Sequence, residues 1–216
     1  MLFRSSNLGT FQRRQNKIDE AFKSYDRAIK NDPNLVISYT NRATLFEKAG
    51  NIEKSLEDYG IALQLDPNNE AVLINRSMLF ERTGKRDLAT KDLEQLLKIN
   101  PKNHKAKSNL ANIKKRNGKF EEALLDFNEL ISEYPNEAIL YNNRADLFNL
   151  INRFDDALND IEKALEIDPG YQIGHVTKGE ILLKMGKKKE ACQEFETAIG
   201  LGFKKEKLAE LMKECP

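Results

Sequence analysis

Residues 36–69 read VISYTNRATLFEKAGNIEKSLEDYGIALQLDPNN, and two stops divide the stretch into two helices. Gly50 ends the first, because glycine adopts the left-handed conformation that closes a helix. Pro67 ends the second, since proline lacks the N–H that would continue it. Between the stops, Ala43 is a small residue in the first helix, while Ser55, Tyr59 and Ala62 form an i, i+4, i+7 stripe on the second. Small against large lets two helices approach closely, so the stretch predicts a helix hairpin.

Outward from this hairpin the pattern recurs every 34 residues. Prolines fall at Pro33, Pro67, Pro101, Pro135 and Pro169, and a second series of stops runs Asn16, Gly50, Gly84, Gly118, Asn152 and Gly186. The first helix of each hairpin, A, carries Gly9, Ala43, Ser77, Ala111, Ala145 or Gly179. The second, B, carries Ala21, Ser55, Ala89, Ala123, Ala157 or Ala191, followed four residues later by Tyr25, Tyr59, Leu93, Phe127, Ile161 or Phe195. A fixed period of this length marks stacked repeats. They span 2–35, 36–69, 70–103, 104–137, 138–171 and 172–205. Residues 204–216 predict one more amphipathic helix, capping the stack with Leu208 and Leu211. Helix A of the first repeat begins directly with Leu2 and Phe3, so the sequence predicts a preceding segment or self-association at that uncapped end.

Composition narrows the class. The 216 residues are 40% hydrophobic, enough for a core and against disorder. Lys+Arg 35 against Asp+Glu 34 gives a net charge of +1, which draws the chain to neither nucleic acid nor an anionic membrane. No apolar run approaches membrane-spanning length, and the first residues lack the apolar stretch of a signal peptide. Two cysteines do not make a disulfide framework, which predicts a reducing cytoplasm, with Cys192 a small buried hydrophobe and Cys215 an exposed thiol.

The 34-residue spacing, the small residues at repeat positions eight and twenty, and proline at thirty-two resemble the tetratricopeptide repeat family over residues 2 to about 205. The usual aromatic at position four is present as Tyr39 and Tyr141 and replaced by Ser5, Leu73, Lys107 and His175; Phe203 stands for proline in repeat six. The resemblance implies an all-α, right-handed α-solenoid of six helix-turn-helix units, A helices lining a concave groove and B helices the convex back. It also implies a non-enzymatic scaffold for a protein or peptide partner. The closing pattern A-C-x-E-F-x-x-A-I-x-L-G resembles repeats that end some bacterial repeat proteins, exported ones included, which keeps an exported location open.

Catalysis needs a converging nucleophile, base and stabilising groups, or a metal-ligand set, and the sequence predicts neither. His104 and His175 have no second His or Cys three or four residues on with which to bind zinc. No phosphate-binding glycine motif is present, so neither cofactor nor metal is expected.

The A helices carry the candidate site. Position six is Asn7, Asn41, Asn75, Asn109 and Asn143, turning to Thr177 in the last repeat. Asparagine inside a helix costs roughly half a kcal/mol against alanine, so five in register call for a reason. Neighbouring position five has meanwhile drifted through Ser6, Thr40, Ile74, Ser108 and Asn142. A carboxamide offers both donors and an acceptor, which suits the backbone of an extended peptide. Similar asparagine ladders line the repeat domains of O-linked N-acetylglucosamine transferases. Thr44, Met78 and Asn112 at position nine, with Ile37, Ile74 and Ile139, would supply selectivity. Arg14, Lys48, Arg82 and Arg116 form a basic row that could meet an acidic ligand, though the helix dipole alone favours cations in a last turn.

Nucleic-acid binding is not expected, because aromatic stacking residues are scarce beside those cations. The two-carboxylate clamp that holds Hsp70 and Hsp90 tails is also disfavoured. Asn112 and Asn143 match it, but Ser108, Ile173 and Thr177 stand where cations are needed. The sequence therefore predicts a non-enzymatic module binding an extended segment. A regulatory segment of a larger enzyme and a self-assembling structural protein are the alternatives.

Overall fold

The computed structural model describes residues 2–215, with side chains from Ser5 onward. The side chains of Leu2 and Phe3, expected at the front of the first helix, lie outside those described. The described residues are all-α. The A helices are α1 (Leu2–Arg14), α3 (Val36–Lys48), α5 (Glu70–Arg82), α7 (His104–Arg116), α9 (Ala138–Leu150) and α11 (Gln172–Lys184). The B helices are α2 (Ile18–Asn31), α4 (Ile52–Leu65), α6 (Arg86–Ile99), α8 (Phe120–Glu133), α10 (Phe154–Ile167) and α12 (Lys188–Gly200). Two compact units divide the chain, Met1–Asn109 and Leu110–Pro216.

Both kinds of stop act as their chemistry requires. Gly50, Gly84, Gly118 and Gly186 sit at φ of 78–79°, and Asn16 and Asn152 reach 60° and 61°. Each reverses the chain so that the next N–H bonds five residues back, as Asn51 N–H does to Phe46 O at 2.8 Å. This is a Schellman closure, which satisfies carbonyls the helix end would orphan. At the end of each of the first five B helices the residue before proline is pushed out of helical backbone, with φ of −145° at Asp32 and −139° at Asp66.

In the first unit, α1 packs on α2, α3 on α4 and α5 on α6, and α3 also touches α1 and α5. Ala21, Tyr25, Ala43, Leu45, Tyr59, Ala62, Leu79, Ala89, Leu93 and Leu96 are buried between them. Phe11 is 56% exposed, although Leu45 and Leu79 at the same repeat position are fully buried. In the second unit the core joins Ala111 to Phe127, Leu130 and Leu140, then Ala145 to Ile161, Ala164 and Ile181.

A set of ion pairs ties A to B and was not anticipated from the sequence. Arg42 donates from Nε and Nη2 to Asp58 at 2.8 and 2.7 Å, and Arg76 does the same to Asp92. In the second unit Arg144 makes both bonds to Asp160 at 2.6 Å, and Lys178 stands 3.1 Å from Glu194. The three aspartates are buried and their arginines about one-fifth exposed. Hydrogen bonding to Asp58 raises the Arg42 pKa further above its ordinary value, against the effect of burial.

The expected capping helix is instead two 3-10 turns, α13 (Lys205–Leu208) and α14 (Leu211–Glu214). A segment this short gains little from helix propagation, so packing sets its path. Leu208 is buried against Leu182, Ala191 and Phe195, with Leu211 and Met212 beside it. That path overturns the expectation of two thiols. It brings Cys215 to a Cα–Cα distance of 5.7 Å from Cys192, and the two form a disulfide.

Two outcomes follow from these ties. Asp92→Ala strands Arg76 in a partly buried site and should lower stability in urea by about 3 kcal/mol, while Arg76→Leu with Asp92→Leu should cost under about 1 kcal/mol. Equal losses would show that packing, not charge, sets the effect. Protein alkylated on extraction from its source should show no titratable thiol in denaturant until it is reduced, and reduction should cost about 2–4 kcal/mol. Two thiols before reduction would contradict the bridge.

Candidate functional site

In the first unit, α1, α3 and α5 lie side by side, so their outer residues form one surface. Asn7 is exposed there, and Asn41 and Asn75 are half-buried. Asn41 Nδ2 donates to Thr10 Oγ1 at 3.4 Å, so position six of one repeat meets position nine of the repeat before. That bond occupies part of the amide donor and leaves its carbonyl oxygen outside it. Ile37 at 47% and Met78 at 54% exposure give the surface apolar contacts, while Ile74 is half-buried.

Thr44 has less freedom than its position suggests. Its hydroxyl donates to Thr40 O at 3.0 Å and lies 3.2 Å from the Tyr59 hydroxyl, and Thr10 repeats this arrangement with Tyr25. Burial pushes the Tyr59 phenol up to about 12. It stays a neutral donor, reaching Glu47 at 3.4 Å. The sequence carries a signal for this contact, because threonine at position nine coincides with tyrosine on helix B in the first two repeats alone.

Asn109 is the last residue of the first unit and is half-buried. In the second unit Asn112 and Asn143 are half-buried, Ile139 is 50% exposed, and Thr177 is buried. In the fifth and sixth repeats position nine is acidic: Asp146 accepts an ion pair from the buried Lys115 at 2.5 Å, and Glu180 follows one repeat later.

Among the basic row, Arg14, Lys48 and Arg116 are exposed at the ends of their A helices. Arg82 pairs with Glu47 of the preceding repeat at 2.9 Å, which gives it an internal partner. His175 bridges the fifth and sixth repeats, with Nδ1 2.7 Å from Glu194 and Nε2 3.2 Å from Pro169 O. No group of three or more His, Cys, Asp or Glu among the described residues could hold a metal ion. Among those residues, no helix is long and apolar enough to cross a membrane.

Tetratricopeptide repeat profiles match residues 7–35, 24–57, 71–103, 106–137, 138–171 and 174–201. No curated protein matches the sequence. Among solved structures, a tetratricopeptide repeat protein from Parabacteroides merdae is 34% identical, covering 97% of this chain and 82% of its own, with a TM-score of 0.90. PilW, described as a widely conserved type IV pilus biogenesis factor, is 17% identical with 89% and 90% coverage and a TM-score of 0.76. YrrB, described as a TPR protein with an unusual peptide-binding site, is 18% identical with 82% and 92% coverage and a TM-score of 0.53. With repeat profiles over most of its length and a relative at 34% identity, this chain belongs to the tetratricopeptide repeat family.

Proposed function

We propose that this protein-interaction module holds an extended segment of a partner along the A helices of its first unit, without catalysing a reaction. The observation that carries the reading is the lateral contact of α1, α3 and α5, each presenting one position-six asparagine on a common surface. Packed helices lie about 8–10 Å apart and an extended chain rises about 3.3 Å per residue, so one repeat spans roughly three ligand residues. Successive asparagines then meet the backbone of every third residue, and Ile37 and Met78 read the side chains between them. Asn109, and in the second unit Asn112, Asn143 and Ile139, continue the same residue chemistry. The peptide-binding site named for YrrB fits this reading. The Cys192–Cys215 bridge favours an oxidising compartment for the work.

A second reading rests on Phe11 and Leu8, 56% and 45% exposed on the first repeat: two copies meet there. If so, sedimentation should show a concentration-dependent dimer that Phe11→Glu abolishes.

The groove reading is tested on an arrayed library of dodecamer peptides, measuring affinity for the best binder. Asn7→Ala with Asn41→Ala and Asn75→Ala should cost about 1.5–4.5 kcal/mol, three backbone bonds at about 0.5–1.5 each. That is a loss of about ten-fold to a thousand-fold or more. Thermal stability should not fall in parallel, since alanine is the better helix former. Unchanged affinity would remove the asparagines from the site.

A further inference from the structure

The second unit contains a cavity where α9, α11 and α14 converge. Its chemistry differs from that of the first unit's A-helix surface. Asp146, Glu180 and Glu214 all line it, one from each element, and they fall 34 residues apart in the sequence. The acidic series thus runs through position nine of repeats five and six and on into the cap. Leu150, Leu183 and Leu211 line the same cavity, so carboxylates stand beside an apolar wall.

Two of the three acids already have partners. Asp146 is paired with Lys115 at 2.5 Å, and Glu214 with Lys188 at 2.7 Å. Glu180 differs: no ion pair or hydrogen bond reaches its carboxylate among the described residues, and burial first, then the charge of Asp146, raises its pKa, with Lys184 acting the other way. Lys184 instead donates to Asn149 O at 3.2 Å. A second observation is independent of the acids. Asn149 lines the cavity, is only 4% exposed, and its carboxamide oxygen has no hydrogen-bond partner. A buried acceptor left unpaired costs free energy that a ligand donor would recover.

We propose that this cavity receives a basic side chain of the partner polypeptide, its cation on Glu180 and the Asn149 carboxamide and its aliphatic stem along Leu150, Leu183 and Leu211. Long cationic side chains divide in this way, stem against apolar surface and head at a polar group. The assignment rests on the reading of the A-helix side as the partner's path, but it names a different unit and different residues.

The test uses Nα-acetyl-lysine amide, with Nα-acetyl-norleucine amide as its neutral counterpart and cadaverine as a free amine, followed by methyl NMR of the whole chain. The lysine probe should shift the Leu150, Leu183 and Leu211 methyls, and the norleucine probe should not. Glu180→Gln should weaken the lysine probe by about ten-fold to a hundred-fold, the range a charge-assisted hydrogen bond carries, with the circular dichroism melt unchanged or raised. No shift with the lysine probe, equal binding of norleucine, or an unaffected Glu180→Gln protein would overturn the proposal. Cadaverine binding far more tightly than the lysine probe would overturn the assignment to a polypeptide and make the site one for free amines. None of these readings involves Asn7, Asn41 or Asn75, so failure here is distinct from failure of the asparagine surface.

Discussion

In every hairpin a residue with little or no side chain on helix A and a large one sixteen residues on, in helix B, are both buried. At the ends of the series the margin is smallest: a Cβ on Gly9 would lie 2.7 Å from Tyr25 Cε1, and one on Gly179 would meet the Phe195 ring. Between them Ala43, Ala111 and Ala145 are fully buried. This close approach fixes the rotation of each A helix about its axis. It turns position seven to the aspartates of helix B, where Arg42, Arg76 and Arg144 find partners. It leaves the position-six asparagines and position nine partly open.

Much of this was legible from residue type and spacing, because the stops act locally. Proline cannot donate and forces its predecessor out of the helix; glycine or asparagine reverses the chain whatever lies around it. The cap was not legible for the opposite reason. Leu208, Leu211, Met212 and Cys215 share a face in an α-helix and pack nearly as well from 3-10 turns, so only tertiary contact decides. The disulfide depends on that path. The arginine–aspartate pairs were readable in principle, sixteen residues apart in three repeats. What hides them is interruption: the first repeat has Leu8 and Ser24 at these positions, the fourth has Leu110, and the sixth substitutes Lys178 and Glu194.

The asparagines were visible as a register, but their surroundings were not. Sequence spacing alone does not reveal that Thr10 accepts from Asn41, whereas the contact of Thr44 with a tyrosine tip leaves a trace in the coincidence of threonine and tyrosine in the first two repeats. Position nine carries the contrast between the units. In the first it holds Thr10, Thr44 and Met78, whereas in the second it holds Asn112 and then the acids Asp146 and Glu180. One repeat position thus carries neutral and acidic side chains, because it is freed from the core packing that holds position eight to small residues.

The charged ties of the first unit also bear on how it yields to force. Arg42 reaches back to Asp26 on the B helix before it at 2.7 Å, joining the first and second repeats on their B side. One repeat later Gly60 occupies the place of Asp26 and offers no side chain, and the tie is made instead by Glu47 and Arg82 between A helices. Exposed pairs of this kind contribute about 0–1 kcal/mol each, too little to decide folding. It is enough to bias which edge of a junction opens under load. The ionic tie thus changes edge from one junction to the next, and added salt would weaken it at both.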